Sequence, residues 1–483
     1  MRGVHFILAA IVLVVVMVAW FEPRPDVAEY DPAVHAAFKD TWAKRVHITY
    51  WEKWGSFEAE AAQKMVDAFN ASQDEVFCHY IRTSQVDRKA MLAIVGGQPP
   101  DVVGLWSDNV APYAEADALM PLDDLMARAG LGDDHYIPNY LEMCRYDGRT
   151  YVLPTAPVSI ALFYNLDHFR AKAAQLRAAG LDPNHPPRTI AELDRYADVL
   201  TVMAPDGTPD VMGFLPTEPG WYHVAWPYYF GGGLFDANGS PTPDLPANVR
   251  AFEWLKGYAR RYGRDNLTRF RQGFGNFDSP QNAFIDGKVS MVLHGVFFPQ
   301  FIDRHRPHLH YGVAPFPCAP GVRGPRSFLN EDNIGIPRGC KHPEAAWKFV
   351  LWTQTRGLEI LNRLQGKHLP LARVPDSFRQ GHPNRFLKVF EDLARSPEAC
   401  VIPTSIVWRE YSDEYKRGFD HIWHWQVPKS ALDGLTGAER DQETRQLTRE
   451  EIVRTLTDMR ETIEGKLRRK LERTEQRKAR AAQ

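Results

Sequence analysis

VHITYWEKWGSFEAEAAQKMVDAFN, residues 46–70, divides into three pieces. Residues 46–51 have the apolar, β-branched character of a buried parallel strand, and residues 56–70 carry apolar positions at the spacing of the helix that follows such a strand. Between them stands Glu52-Lys53-Trp54-Gly55. In open α/β sheets ligands bind beyond the carboxyl ends of the strands, so a loop offering Trp51, Glu52 and Trp54 there has the makeup of a recognition surface. Trp51, at the strand end, fits a core position equally well.

The same grammar continues outward. A short strand at 76–81 and a helix around 87–95 lead through Gly96-Gly97-Gln98-Pro99-Pro100 to the apolar strand DVVGLW at 101–106, giving a βαβαβ start whose third strand also ends in an aromatic and an acid, Trp106 and Asp108. Residues 147–165 read as a hairpin into a long extended run holding Pro154 and Pro157, which suits a chain passing between two lobes. A helix over 167–179, a helix to Leu200 capped by Thr189, a strand at 213–215 and the loop Glu218-Pro219-Gly220-Trp221-Tyr222-His223 build an aromatic wall in the second lobe. A short helix at 281–286 leads to a strand at 289–293, with Gly295, Phe297 and Phe298 beyond it. Strands at 311–314 and 334–336 and helices at 343–352 and 356–364 follow. Asn330-Glu331-Asp332 precedes a strand, so Asp332 either faces a cleft or belongs to a solvated loop.

At 483 residues the chain has room for more than one lobe. A net charge of −2 argues against a nucleic-acid role, and 44% hydrophobic residues is an ordinary globular composition. Arg2 followed by the apolar run 6–21 reads as an export signal kept as an uncleaved membrane anchor, with a cleaved signal peptide as the alternative. No cysteine follows that run, which excludes a lipoprotein anchor. Residues 22–45, with Pro23, Pro25 and Pro32, read as a spacer. Of the five cysteines, Cys318 and Cys340 are candidates for one bridge against a default of free thiols. No cofactor or metal is expected, since no P-loop, GxSxG, HExxH or GxGxxG occurs and Pro307 interrupts the His305, His308, His310 group. Residues 447–471 place apolar side chains at helical spacing. Eight basic residues stand against two acids over 466–480, so this extension either packs on a lobe or presents a basic tail.

The order of these signals resembles the bacterial extracellular solute-binding proteins of family 1, the maltose-binding-protein-like carbohydrate-binding components of ABC importers. The resemblance rests on ITYWEKWG, PPDVVGLWSD, YAEADALMPLDDL, DGRTYVLPTAPVSIALFYNLDHF, PPRTIAEL, AFIDGKVSMVLHGVFF, YGVAPFP and HPEAAWKFVLWTQTRGLEILNRLQGKHLPL, in that order over about residues 46–435. It implies an α/β, two-lobed periplasmic-binding-protein fold of type II, with hinged lobes and a central ligand cleft. Lobe 1 would comprise 46–158 and 286–340, lobe 2 would comprise 159–285 and 341–435, and 436–483 would form a helical extension.

By position, the family's sugar contacts fall at Glu52 and Trp54, at Trp106 and Asp108, at Glu218, Trp221 and Tyr222, and at Phe297 and Trp408. Phe297 departs from the tryptophan common at its place, which weakens stacking there. The physical logic agrees: a sugar ring has a C–H face that packs on aromatic rings and a hydroxyl rim that needs planar polar partners. The implied partners are a carbohydrate ligand, ABC transporter permease subunits and the membrane through the N-terminal helix, with no nucleic acid. The implied location is the periplasmic or extracellular side. Hinge closure would then couple capture to delivery, with no chemistry on the sugar. Two rival readings remain at this point. A glycan-active enzyme would use Glu52, Asp108 or Glu218 as paired acid and base, and a ligand sensor would signal to a membrane receptor.

Overall fold

The structure, a computed structural model, describes residues 42–481. The expected anchor at 1–21 and nearly all of the spacer lie outside these residues. Among the described residues no helix is long and apolar enough to cross a membrane.

Two sheets carry the fold. The first opens with β1 (Val46–Glu52), flanked in parallel by β2 (Val76–Arg82) and β3 (Val102–Trp106). The first crossover helix, α1 (Ser56–Ser72), buries Ala62, Met65, Val66 and Phe69, which recur at the spacing of one helical face. β4 (Val152–Val158) belongs to the first sheet, and one residue later β5 (Ile160–Asn165) begins the second. There β6 (Pro209–Phe214), β7 (Val289–Gly295) and β8 (Tyr311–Ala314) join it in the order β8-β5-β7-β6. The chain then returns, and β9 (Phe328–Gly335) inserts antiparallel between β3 and β4. The extended run expected to pass between lobes does so at Ser159.

The lobe boundaries drawn from sequence need correcting. β7 and β8, expected in lobe 1, lie in lobe 2: β7 pairs antiparallel with β5 from Met291↔Tyr164 to Gly295↔Ile160 and parallel with β6, and all seven of its residues are buried. A strand buried on both faces says nothing about which sheet it joins. Conversely, α3 (Pro343–Trp352) and α4 (Leu358–Gln365), numbered after α2 (Pro246–Tyr262) of lobe 2, were expected in lobe 2. They cover the first sheet instead, placing Phe349, Val350, Leu358 and Leu361 in the core built on Ile48, Tyr50, Val103 and Leu105. The chain rejoins the lobe 2 core from Phe390 onward, where α5 (Trp408–His424) contributes Tyr411, Tyr415 and Trp423.

Local expectations fared unevenly. Thr189 caps Ile190–Leu200 by accepting the Glu192 N–H at 3.1 Å. Residues 281–286 form turns instead of a helix, because the Asn282 side chain accepts the backbone N–H groups of Phe284 and Ile285 and offers the chain a local alternative to helical bonding. The 334–336 strand begins six residues earlier, so Asp332 sits inside β9 and not in a solvated loop. All five cysteines are free; Cys318 packs on the lobe 2 core and Cys340 on the lobe 1 core, so no bridge joins them.

Three crossings tie the lobes, at Ser159, over 315–327 and beyond Leu387. The Ser327 hydroxyl donates to Ile160 O and accepts the Ile160 N–H, both at 2.9 Å, while Ser159 O accepts from Val296 N at 3.0 Å. The last helix, α6 (Gly437–Ala481), packs Ile452, Leu456, Met459 and Ile463 on lobe 2. Lys466 and Lys470 pair with Glu414 and Glu410 of α5 at 2.7 and 2.6 Å. Farther along α6, the Thr474 hydroxyl donates to Glu115 in lobe 1.

Candidate functional site

Strand period 2 places Ile48, Tyr50 and Glu52 on one buried face of β1. Glu52 is therefore not in the cleft but behind its floor, fully buried, which departs from the expectation of ligand contact. Its Oε2 accepts from the Tyr50 hydroxyl at 2.6 Å, and its Oε1 accepts from the Lys53 backbone N–H at 2.7 Å and from Lys53 Nζ at 3.0 Å. Burial raises the Glu52 pKa, and Lys53 offsets that only in part.

The neighbouring strand makes room with Gly104, where an added Cβ would lie 1.8 Å from Glu52 Oε2. Gly104→Ala is accordingly expected to push Glu52 off its partners and cost about 2–3 kcal/mol, read as a lower urea midpoint at unchanged slope.

Lys53 Nζ reaches three elements at once. It bonds Glu52, Leu105 O at 3.1 Å and Asp332 Oδ1 at 3.0 Å, and it stands 5.1 Å from each of the Trp54 and Trp106 ring centroids. Asp332 is aligned with Trp106 across the β9–β3 pair. Its second oxygen faces Lys367 Nζ at 3.5 Å, and Lys367 pairs with Glu58 of α1 at 3.2 Å. Burial pushes Asp332 up, but the Lys53 and Lys367 ammoniums and the Trp54 indole N–H more than offset it, so its carboxyl sits below the usual range. Burial likewise pulls Lys53 down and the two carboxylates reverse it. Both lysine side chains are paired with carboxylates in place.

Glu331 differs from this network. It is buried with no cation beside it, so its pKa lies well above the usual carboxylate range; Oε1 accepts from the Cys144 thiol at 3.0 Å and Oε2 has no partner among the described residues. Burial, with Asp87 nearby, raises Asp108 to about 6.

The opposite wall comes from lobe 2. Trp221 and Tyr222 follow β6, and Phe297 follows β7 after Gly295, where a Cβ would lie 2.5 Å from the Phe297 ring and 2.9 Å from the Tyr222 hydroxyl. His294 stacks on Phe298 at 3.7 Å and stands edge-on to Trp221 at 5.8 Å, and Phe277 meets Trp221 and Phe297 at 5.5 and 5.6 Å. Trp408, at the start of α5, stacks on Tyr411. Contacts span the lobes: Lys367 lies 5.8 Å from the Phe297 centroid, and Phe57 meets Phe301 edge-on at 4.8 Å.

Eight of the ten residues singled out in the sequence thus border one cleft of about 520 Å³ between the lobes: Trp54, Trp106, Asp108, Trp221, Tyr222, Phe297, Asp332 and Trp408. Glu218 does not; it pairs with Arg271 at 3.3 Å in a neighbouring cavity. Lys53, Lys367 and Glu331 stood in stretches the sequence had marked without being singled out as site residues, and Phe277 was not marked at all. Lys53 lay in the loop already quoted, whereas Lys367 carries no local mark of its pairing with residues 58 and 332. Among the described residues no group of histidine, cysteine and carboxylate side chains could hold a metal ion.

His294 is fully buried and its pKa is pushed down to about 3 by burial. The unfolded chain therefore takes the proton first, and His294 costs stability as the pH falls below about 6.5, by about 2 kcal/mol at pH 5. Asp108 acts in the opposite sense, adding stability as the pH falls through about 6. His294→Gln is expected to lose about 2 kcal/mol less than the parent between pH 7 and pH 5, measured by urea unfolding at both.

Two α/β lobes joined by three crossings, with an aromatic cleft between them and a neutralised charge network along its floor, define a hinged solute-binding protein. The family model described as bacterial extracellular solute-binding protein matches residues 55–357, and the chain belongs to that family. It is 24% identical over 346 residues to a maltotriose-binding protein of Pyrococcus abyssi (strain GE5 / Orsay), covering 68% of this chain and 66% of that one. It is 28% identical over 343 residues to a putative binding protein of Brucella abortus (strain 2308), covering 70% and 77%. Among solved structures, CpMnBP1 with mannobiose bound is similar at a TM-score of 0.69 and 25% identity, covering 86% of this chain and all of that one.

Proposed function

We propose that the protein captures a neutral oligosaccharide by closing its lobes and delivers it, from an extracytoplasmic position, to the permease of an ABC importer. The observation that carries this reading is the convergence on one cleft of aromatic rings from both lobes, Trp54 and Trp106 facing Trp221, Tyr222 and Phe297. Rings on both sides suit the two faces of a pyranose, and contacts from both lobes exist together only when the cleft is shut. The maltotriose-binding relative and the mannobiose-bound neighbour point the same way.

Charge narrows the ligand. Along the floor Lys53 and Lys367 are outnumbered by Glu52, Glu58 and Asp332, so neither lysine is left over for a phosphate. The placement of the carboxylates favours binding over hydrolysis: Glu52 is behind the floor and Glu218 lies in the adjoining cavity, so of Glu52, Asp108 and Glu218 only Asp108 borders the cleft and they form no acid and base flanking one bond.

The test is thermal unfolding of the full chain against maltose- and mannose-based oligosaccharides, sugar phosphates and polyols, with recovery of the ligand afterwards. A neutral oligosaccharide at a hundred times its dissociation constant is expected to add about 2.7 kcal/mol and to be recovered intact. A shift by sugar phosphates alone would overturn the neutral reading, and consumption of the glycan would replace the binder with an enzyme. Reconstitution with cognate permease subunits distinguishes import from signalling.

A further inference from the structure

Behind the wall formed by Trp221 and Tyr222 lies a second cavity of about 480 Å³, built wholly from lobe 2. It is of the size that ligand sites commonly have. It shares Trp221 and Tyr222 with the cleft, and Trp221 is 38% exposed, an unusual state for an indole in a lobe whose other large aromatics are mostly buried. On one side Phe419 and Trp423 of α5, with rings only 4° from parallel, line the cavity. Glu218 with Arg271 and, on α5, Asp420 with Lys416 at 2.6 Å supply paired charges around it.

One more observation points to a ligand. Trp226, which is 1% exposed, belongs to the wall of this cavity, and its buried indole N–H has no acceptor among the described residues. A buried donor left unpaired is destabilising unless something brings it an oxygen.

We propose that this cavity is a second saccharide subsite, which takes the sugar units of an oligosaccharide that extends past Trp221 out of the cleft. The inference rests on the carbohydrate reading of the cleft. Aromatic rings for C–H faces and charged pairs for hydroxyls form the same chemistry as the cleft, repeated on the far side of one shared tryptophan. Ligand length or branching would then be read by lobe 2 alone, while closure is driven by the units held between the lobes.

The experiment is calorimetric titration of the full chain with two ladders, maltose to maltohexaose and mannobiose to mannohexaose, using the parent, Thr268→Trp and Asp420→Ala. Thr268 borders the second cavity and not the cleft, and its exposed position lets an indole fill that space; Asp420 removes half of the α5 pair. In the ladder that binds, the parent is expected to gain at least tenfold in affinity between the shortest and longest members. Both variants are expected to lose that gain while binding the shortest member within twofold of the parent. Affinity that does not rise with length, or a gain that survives both substitutions, would overturn the second subsite and leave the cleft reading intact. No binding of either ladder by the parent would overturn the carbohydrate reading and this inference with it.

Discussion

Asp332→Asn is expected to lower the unfolding free energy by about 3–5 kcal/mol. Asp332 is the shared counter-ion of Lys53 and Lys367, whose side chains are 5% and 2% exposed, and neither ammonium has water to turn to when the carboxylate is gone. Asparagine keeps the shape and an oxygen for the Trp54 indole, so the loss isolates the charge. Each lysine retains one carboxylate, Glu52 or Glu58, so the chain still folds. Adding Lys367→Met to Asp332→Asn is expected to recover part of the loss, since it removes the cation left under-compensated. Urea unfolding of the two single variants and the double variant measures the coupling. A fall of less than about 1 kcal/mol for Asp332→Asn would mean that the floor is hydrated and the network ordinary surface pairing.

Trp106→Ala is expected to weaken oligosaccharide binding by about 30- to 300-fold while changing stability by less than about 1 kcal/mol. Trp106 ends β3 on the cleft side and is 36% exposed, so its truncation opens no core cavity. The Lys53 ammonium 5.1 Å from its centroid holds the ring in place from below, leaving the other face for a sugar. Trp54 provides the contrast. It is 5% exposed and belongs to the lobe 1 core, so Trp54→Ala is expected to lose both affinity and stability. Calorimetric titration beside urea unfolding separates the two effects. Parent-like affinity in Trp106→Ala would remove the cleft as the binding site.

How far the sequence carried can be judged residue by residue. β1, α1 and β3 were readable because a buried parallel strand and an amphipathic helix each leave a local pattern, and the loop aromatics stand at the strand ends where such sheets bind ligands. The passage between sheets at Ser159 was readable from its prolines and extended length. Sheet membership was not: β7 is buried throughout, and nothing within it tells whether β5 or β3 is its neighbour. The direction of Glu52 was lost for a related reason. Strand alternation places it beside Tyr50, facing inward, although it stands at the start of the loop that carries Trp54. The Glu52–Lys53–Asp332–Lys367–Glu58 chain joins residues more than three hundred positions apart, and pairings over that distance leave no trace in a single sequence.

The place of β9 between β3 and β4 bears on how the chain comes to be folded at all. β3 ends at Trp106 and β9 begins at Phe328, so the first sheet stands incomplete while nearly all of the second is being synthesised. At a synthesis rate of roughly 5–20 residues per second, that interval is on the order of 10–40 s. Its covering helices α3 and α4 arrive later still. The first sheet therefore cannot be completed from one short continuous fragment. Refolding of the whole is expected to be paced by this late, distant strand insertion, with β1 and β3 acting as a waiting template rather than as an early finished unit.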